Sequence, residues 1–505
     1  MPQDVESILK KMTLEEKIDF IGGYKSFFIR GYDKYDIPQI RMADGPVGVR
    51  NYGKATAFPA GIALAATFNR KLAYMTGESI AMEARSKNVH VMLGPGVNIY
   101  RLPLCGRNFE YFGEDPYLTS QIAKEYILGM QKEGVVATIK HYAANNQEYA
   151  RHTVSSDMDE RTLHEIYLPA FRTAVTEAKV GAVMTSYNLI NGIHASQHDY
   201  LINSVLKNKW GFEGFVMSDW VSTYDALGAA KAGLDLEMPS GSFMNKEHLI
   251  PAIKNGELDE SVIDDKVRRI LNIYKRFNFF DSPKPSENFS FDESLPRKAA
   301  LEVAREGIVL LKNKNGFLPA DLGKIKTIAV IGPNADPAVT GGGGSSFVAP
   351  LHPLSLLQAV EQLAGDNIQI IYEPGVQAGI SIPKGIFDNQ KFYFYDRNGN
   401  KTPGVEAEFF NGMKLEGDPI LSTTLPYLSH KKEQLWDLPN VPNKYFSARF
   451  ATYFTPDKST NYIIAASGDD GYRVYLDGEK IIDMWQDQGE TPSSSTAFLN
   501  AGQEY

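Results

Sequence analysis

The sequence predicts an α/β protein of several domains, led by a barrel of parallel strands. Three observations carry this. Up to about Phe280, helix-period stretches alternate with strand-like segments that end in polar or Gly/Pro residues, the βα rhythm of a parallel sheet covered by helices. The chain has 505 residues, too many for one core, and about three domains is the expectation. From about Ile386 the character changes to short alternating segments with many aromatics and turn signals such as Asp396-Arg397-Asn398-Gly399 and Leu476-Asp477-Gly478, which reads as antiparallel β.

Taken in order, Met1–Lys17 has an amphipathic helix pattern, with Val5, Ile8, Leu9 and Met12 on one face. Strands are predicted to end at Ala43-Asp44-Gly45-Pro46, Leu93-Gly94-Pro95, Ile139-Lys140-His141, Met184-Thr185-Ser186-Tyr187-Asn188, Ser218-Asp219-Trp220 and Leu236-Glu237-Met238-Pro239. Helices are predicted over Leu118–Lys132, Arg161–Lys179 and Tyr200–Lys207. A first domain of residues 1–285 suits a (β/α)8-type, TIM-like barrel, for which about 250 residues is typical. Six strands are convincing, so an irregular or collapsed barrel fits as well.

The Pro/Ser-rich connector Asp281–Asn288 marks a boundary. Residues 286–385 then open a second α/β unit, with a helix over about Glu293–Leu310, a strand Ile325–Ile331, a glycine run Gly341–Gly344 and a helix Leu354–Leu363. The glycine run lacks the Gly-Lys-Ser/Thr ending of a phosphate loop and reads as a plain loop. Residues 386–505 form the β-rich part. Turn residues at Ala501–Tyr505 lead toward a further strand, so the expectation is an incomplete β insertion and a chain that stops before the α/β unit is finished.

A net charge of −9 without a basic stripe argues against a nucleic-acid partner. The 26 Tyr and 27 Phe suit sugar binding and β packing equally. Cys105 is the only cysteine, so no internal disulfide forms, which fits a reducing compartment. The N-terminus has no basic region followed by an apolar one, and no apolar stretch is long enough to span a bilayer. The expectation is an intracellular protein with no membrane partner. No His/Cys cluster has metal-ligand spacing, so neither metal nor cofactor is expected. A homo-oligomer stays open.

The chemistry centres on Gly214-Phe215-Val216-Met217-Ser218-Asp219-Trp220. A carboxylate at the carboxyl end of a barrel strand points into the active-site mouth, and the adjacent indole is a surface for a sugar ring. Asp219 therefore reads as a nucleophile toward a sugar carbon. Asp44, set by a Gly-Pro turn, suits two adjacent sugar hydroxyls, and suits a turn cap equally. Arg107 offers a forked donor, or a structural ion pair with Glu110 or Glu114. Lys140 and His141 suit hydroxyl binding; a buried Lys140 also suits a Schiff base, and His141 also suits a core position. Arg151, eleven residues after Lys140, is placed to join this cluster. Tyr187 suits a hydrogen bond to the nucleophile, while Met184 reads first as packing.

Together these stretches resemble glycoside hydrolase family 3, in particular its β-glucosidase branch. The resemblance rests on Asp44-Gly45-Pro46-Val47-Gly48, Gly106-Arg107-Asn108-Phe109-Glu110, Lys140-His141-Tyr142-Ala143-Ala144-Asn145, Val183-Met184-Thr185-Ser186-Tyr187-Asn188 and the Asp219-Trp220 segment, and it covers essentially the whole chain. It implies that Asp219 is the nucleophile of a retaining β-glucosidase acting on small β-glucosides or oligosaccharides. It implies that Asp44, Arg107, Lys140, His141, Arg151 and Tyr187 grip the sugar, with Met184 lining the site and Trp220 beside it. It also makes the second domain an α/β sandwich. The stretch from Ser447 through Gly468-Asp469-Asp470-Gly471 to Trp485 is similar to a protective-antigen-like β-sandwich, inserted in that domain in some members.

N-acetylglucosaminidase members carry an Asp-His pair after the Lys-His strand. Here that loop is Ala143-Ala144-Asn145-Asn146-Gln147-Glu148. The resemblance therefore places the acid/base on a glutamate beyond Tyr505. Asp219 is expected to stay ionised beside Lys140, His141 or arginine groups. A β-xylosidase of the same family, a non-catalytic sugar-binding protein and a Lys140 Schiff-base lyase are the alternatives.

Overall fold

A computed structural model describes residues 4–281, 291–341, 345, 347–375, 392–396, 398–425, 438, 440–442, 445–489 and 491–505. The predicted boundary at Asp281–Asn288 lies outside these residues beyond Asp281, as do Gly342–Gly344 of the glycine run and the predicted start of the β-rich part at Ile386. The chain divides into two compact units, Met1–Ile328 with Asn334–Ile371, and Ala329–Pro333 with Tyr372–Tyr505.

In the first unit a six-stranded sheet runs, in spatial order, Phe28–Ile29, Ile40–Asp44, Val91–Leu93, Val136–Tyr142, Ala182–Thr185 and Phe215–Met217. The first pair is antiparallel and the rest are parallel. Every residue of Val136–Tyr142 is buried, as expected where helices cover a parallel sheet on both faces. The register pairs Asp44 with Leu93, Tyr142 with Thr185 and Met184 with Met217, so the polar residues ending these strands share one rim. The sheet is a curled half-barrel rather than a regular ring of eight.

Leu236–Glu237 forms no strand. It makes only isolated parallel bridges, Leu236 to Met217 and Glu237 to Gly22. The Glu237 carboxylate is taken up by the backbone N–H groups of Ser242, Phe243 and Met244, which turns the chain away at once.

Helices wrap this sheet, and their ends follow from local chemistry. Asn69 accepts from the N–H of Lys71 and Leu72 to start Arg70–Ser86. Asp115 caps Pro116–Lys132, which opens on proline. The predicted N-terminal helix is two helices, Val5–Lys11 and Leu14–Phe20, because Thr13 and Glu16 form a capping box that begins a new one. The predicted Arg161–Lys179 helix is broken into Glu160–Thr162, a wide-turn segment Leu163–Tyr167 and Pro169–Thr176. Pro169 has no N–H for the helix ladder and disfavours helical geometry at Leu168. Ser294–Gly307 and Leu356–Ala364 also belong to this unit, the latter started by a Ser355–Gln358 capping box. Between them Ile308, Val309, Leu310 and Leu311 are exposed.

The second unit is antiparallel. Val405–Asn411 lies between Leu421–Leu425 and Phe446–Ala451. Thr460–Gly468 pairs with Thr491–Leu499, and Tyr472–Leu476 pairs with Glu479–Met484. Phe409 packs against Phe446 and Phe450.

Candidate active site

The carboxyl rim of the first unit's sheet opens into a cavity of about 810 Å³, within the range of small-molecule sites. Asp44, Arg107, Lys140, Arg151, Met184, Tyr187, Asp219 and Trp220 all line it. These are eight of the nine residues singled out in the sequence. The ninth, His141, is fully buried and reaches the site through Asp219, with Nε2 3.5 Å from Oδ2.

Asp219 follows the strand Phe215–Met217 and is 5% exposed. Its carbonyl accepts from the Ser222 N–H and hydroxyl, which pins the turn. One carboxylate oxygen, Oδ1, accepts from the Trp220 N–H at 2.7 Å. The other, Oδ2, faces Arg107 Nη1 at 3.5 Å. Tyr187 lines the cavity with this carboxylate, and burial, followed by the charge of Asp219, pushes its phenol well above the ordinary range. Trp220 packs on Phe27 with ring centroids 5.0 Å apart, which makes one aromatic wall of the cavity.

Asp44 is held on the opposite side. The turn after it needs glycine: Gly45 has φ +132°, and a Cβ there would lie 1.6 Å from the Gly48 carbonyl oxygen. That turn brings Arg50 back, and Arg50 Nη1 lies 3.3 Å from Asp44 Oδ2. Lys140 Nζ meets Asp44 Oδ1 at 3.1 Å and Glu110 Oε2 at 3.4 Å. Glu110 Oε1 accepts from Arg107 Nε at 2.6 Å. The charges therefore alternate along one chain: Arg50, Asp44, Lys140, Glu110, Arg107, Asp219.

Burial alone would raise the Asp44 carboxyl, but Lys140, with Arg107 and Arg50, holds it below the usual carboxylate value. Burial would likewise lower Lys140, and Asp44 and Glu110 instead lift it above the usual lysine value. Lys140 is thus a paired ammonium, not the free amine that a Schiff base requires. His141 is driven well below its usual value by burial and then by Arg107, Lys140 and Arg151. Of the three groups that the sequence offered as a cation beside Asp219, the one in place is the guanidinium of Arg107, while His141 is held neutral.

Arg151 lies 3.9 Å over the Tyr187 ring and pairs with Glu148 at 2.7 Å. Sequence reasoning passed over Arg50, Glu148 and Phe27 and gave Glu110 only a structural role. Arg50 carried a faint signal in standing six residues after Asp44 across a Gly-rich turn. The others become visible only through packing. Among the described residues no group of three or more His, Cys, Asp or Glu side chains could hold a metal ion, and no helix is long and apolar enough to cross a membrane.

The family model for the glycosyl hydrolase family 3 N terminal domain matches residues 29–273, a span that contains every side chain described in this site except Phe27. That stretch of the chain belongs to glycosyl hydrolase family 3. A PA14 domain model matches residues 401–505. Curated relatives match along most of the chain. It is 40% identical over 387 residues to thermostable beta-glucosidase B of Acetivibrio thermocellus, covering 74% of this chain and 50% of that protein. It is 36% identical to beta-glucosidase B of Emericella nidulans, covering 96% of this chain and 56% of that protein. Among solved structures, the beta-glucosidase of Kluyveromyces marxianus in complex with glucose matches with a TM-score of 0.78 and 30% identity, over 99% of this chain and 62% of that one. Beta-glucosidase 3B of Thermotoga neapolitana in complex with alpha-D-glucose matches with a TM-score of 0.66 and 35% identity, over 73% of this chain and 55% of that one. The chain spans about half the length of the curated relatives it matches, 50% and 56% for the two named here.

Proposed function

We propose that the protein hydrolyses terminal β-linked glucosyl residues of small β-glucosides or oligosaccharides with retention, and that Asp219 is the nucleophile. The observation that carries this reading is the orientation of one carboxylate. Asp219 Oδ1 is anchored by the Trp220 N–H at 2.7 Å, while Oδ2 lies at the wall of a sugar-sized cavity, opposite Arg107. The relatives named above are called beta-glucosidases, and two of their solved structures hold glucose.

In the first step Oδ2 bonds to C1 of the glucoside while the bond from C1 to the leaving oxygen breaks; that oxygen takes a proton from a second carboxyl. Water then attacks C1, gives its proton to that same carboxyl and releases glucose and Asp219. Asp44, Lys140, Arg107, Arg151 and Tyr187 hold the sugar hydroxyls, His141 donates from behind Asp219, Met184 lines the pocket and the Trp220–Phe27 wall packs against the ring. Hydrogen bonds that tighten in the oxocarbenium-like transition state lower the barrier.

Retention needs the second carboxyl about 5 Å from the nucleophile. Asp44, Glu110 and Glu148 are each already paired with a cation. The likeness to family 3 beta-glucosidases implies an acid/base glutamate outside these 505 residues, and the chain covers 50% and 56% of the two curated relatives named above. In the same reading residues 286–385 begin an α/β sandwich that the 386–505 segment interrupts.

The test is labelling with a 2-fluoro glucoside inactivator followed by peptide mass spectrometry. The adduct is expected on Asp219, and Asp219→Asn is expected to abolish both labelling and turnover. An adduct on another residue overturns the assignment.

A further inference from the structure

We infer that Tyr111 is a positioning residue which, with Asn145, holds His141 as the tautomer protonated on Nε2, so that the imidazole donates toward Asp219 Oδ2. The catalytic meaning of this rests on the reading of Asp219 as nucleophile. The tautomer itself follows from hydrogen-bond bookkeeping in a closed space.

Tyr111, His141 and Asn145 are all 1% exposed or less. The Tyr111 ring is pressed against Gly96, where a Cβ would stand 2.9 Å from Tyr111 Cδ1, so the hydroxyl has one direction to point. Asn145 Nδ2 donates one hydrogen to the Tyr111 oxygen at 3.3 Å and the other to Glu148 Oε1 at 3.2 Å. The Tyr111 proton then needs an acceptor of its own, because a buried hydroxyl proton left unpaired is costly. The acceptor in reach is His141 Nδ1, 3.2 Å away. Nδ1 must then be bare and the proton must sit on Nε2.

The opposite end of the ring agrees. Nε2 has no hydrogen-bond partner among the described protein groups and lies 3.5 Å from Asp219 Oδ2. A lone pair there would face a carboxylate; an N–H there donates to it or to a sugar oxygen bound beside it.

The alternative tautomer is within easy reach, which is why Tyr111 matters. Asn98 is fixed by two bonds to the His141 backbone, its Oδ1 accepting from the N–H and its Nδ2 donating to the carbonyl, both at 2.9 Å. Its Oδ1 also stands 3.1 Å from His141 Nδ1 and would accept a hydrogen bond from an N–H there. Remove the Tyr111 hydroxyl and that pairing takes over, leaving a bare nitrogen toward the nucleophile.

The experiment is long-range proton–nitrogen NMR on the protein labelled with ¹⁵N-histidine. The chain has nine histidines, and His141 is assigned by the signal lost in His141→Gln. Wild type is expected to show the Nε2–H form, and Tyr111→Phe to shift toward Nδ1–H, with kcat for a β-glucoside falling about tenfold or more as a charge-assisted hydrogen bond is lost. An Nδ1–H or doubly protonated His141 in wild type overturns the proposal, and so does an unchanged Nε2–H form in Tyr111→Phe. The wild-type spectrum stands alone as a test if the variant fails to fold. An Nε2–H spectrum from a full-length protein that hydrolyses no β-glucoside would instead sink the hydrolase reading and leave the tautomer in place.

Discussion

Arg107 joins two carboxylates that share no other contact: its Nε donates to Glu110 at 2.6 Å and its Nη1 faces Asp219 at 3.5 Å. Burial alone would weaken this guanidinium, and Glu110, Tyr111 and Asp219 hold it charged. It is the link between Asp219 and the alternating charges that end at Arg50. The ion pair with Glu110, one of the two alternatives in the sequence, is present, and the same side chain lines the cavity.

Arg107→Ala removes the shared cation, leaving Glu110 to Lys140 alone and Asp219 without its guanidinium. Breaking a buried pair costs about 3–5 kcal/mol, since a charge stays buried and uncompensated. The expected result is a urea midpoint lowered by a loss of that order, with turnover lost as well. A midpoint equal to wild type would show that the charge chain contributes nothing to the fold.

His90 sets a pH dependence outside the site. It is buried, its ring stands edge-on to Phe279, and burial, then Arg41, pushes its pKa down to about 4 from an ordinary 6.5. The folded state therefore refuses a proton that the unfolded chain accepts between those two values. Stability from this group is fully present above about pH 6.5 and falls as pH drops toward 4, by up to about 3 kcal/mol. His141, also depressed, adds in the same direction. Chemical denaturation across this range should show the slope, and His90→Gln should flatten it. A slope unchanged in His90→Gln assigns the effect elsewhere.

The 505-residue chain taken alone is expected to cleave cellobiose very slowly, since general acid assistance is worth about 100- to 10,000-fold. A dinitrophenyl glucoside, whose leaving group needs no proton, should still label or slowly turn over. Rapid cleavage of cellobiose by this chain would place the acid among the carboxylates present, and Glu148→Gln would then be the first variant to examine.

Much of the site was legible because each strand ends where its apolar run meets a polar residue. Asp44, Lys140 and Asp219 could be put on one rim from that alone, although the pairing of Val136–Tyr142 with Ala182–Thr185 shifts register between Ile139 and Tyr142, at Lys140 itself. The helix predicted over Leu118–Lys132 was legible because its periodicity is local, and it begins two residues earlier, at Pro116, where Asp115 caps it. Less legible were Leu236–Glu237, where a side chain that claims three backbone N–H groups overrides strand propensity, and the first helix, which Thr13 divides.

The sequence by itself determined which residues stand at strand ends and which segments alternate, because those patterns are short-range and set by side-chain periodicity. Only the tertiary structure decided which charges meet. Glu110 is three residues from Arg107 but its second oxygen finds Lys140, thirty positions away in the chain, and the neutral state of His141 depends on burial and on cations from three separate segments. Electrostatic energy depends on distance and local dielectric, and neither is set until the strands have packed side by side.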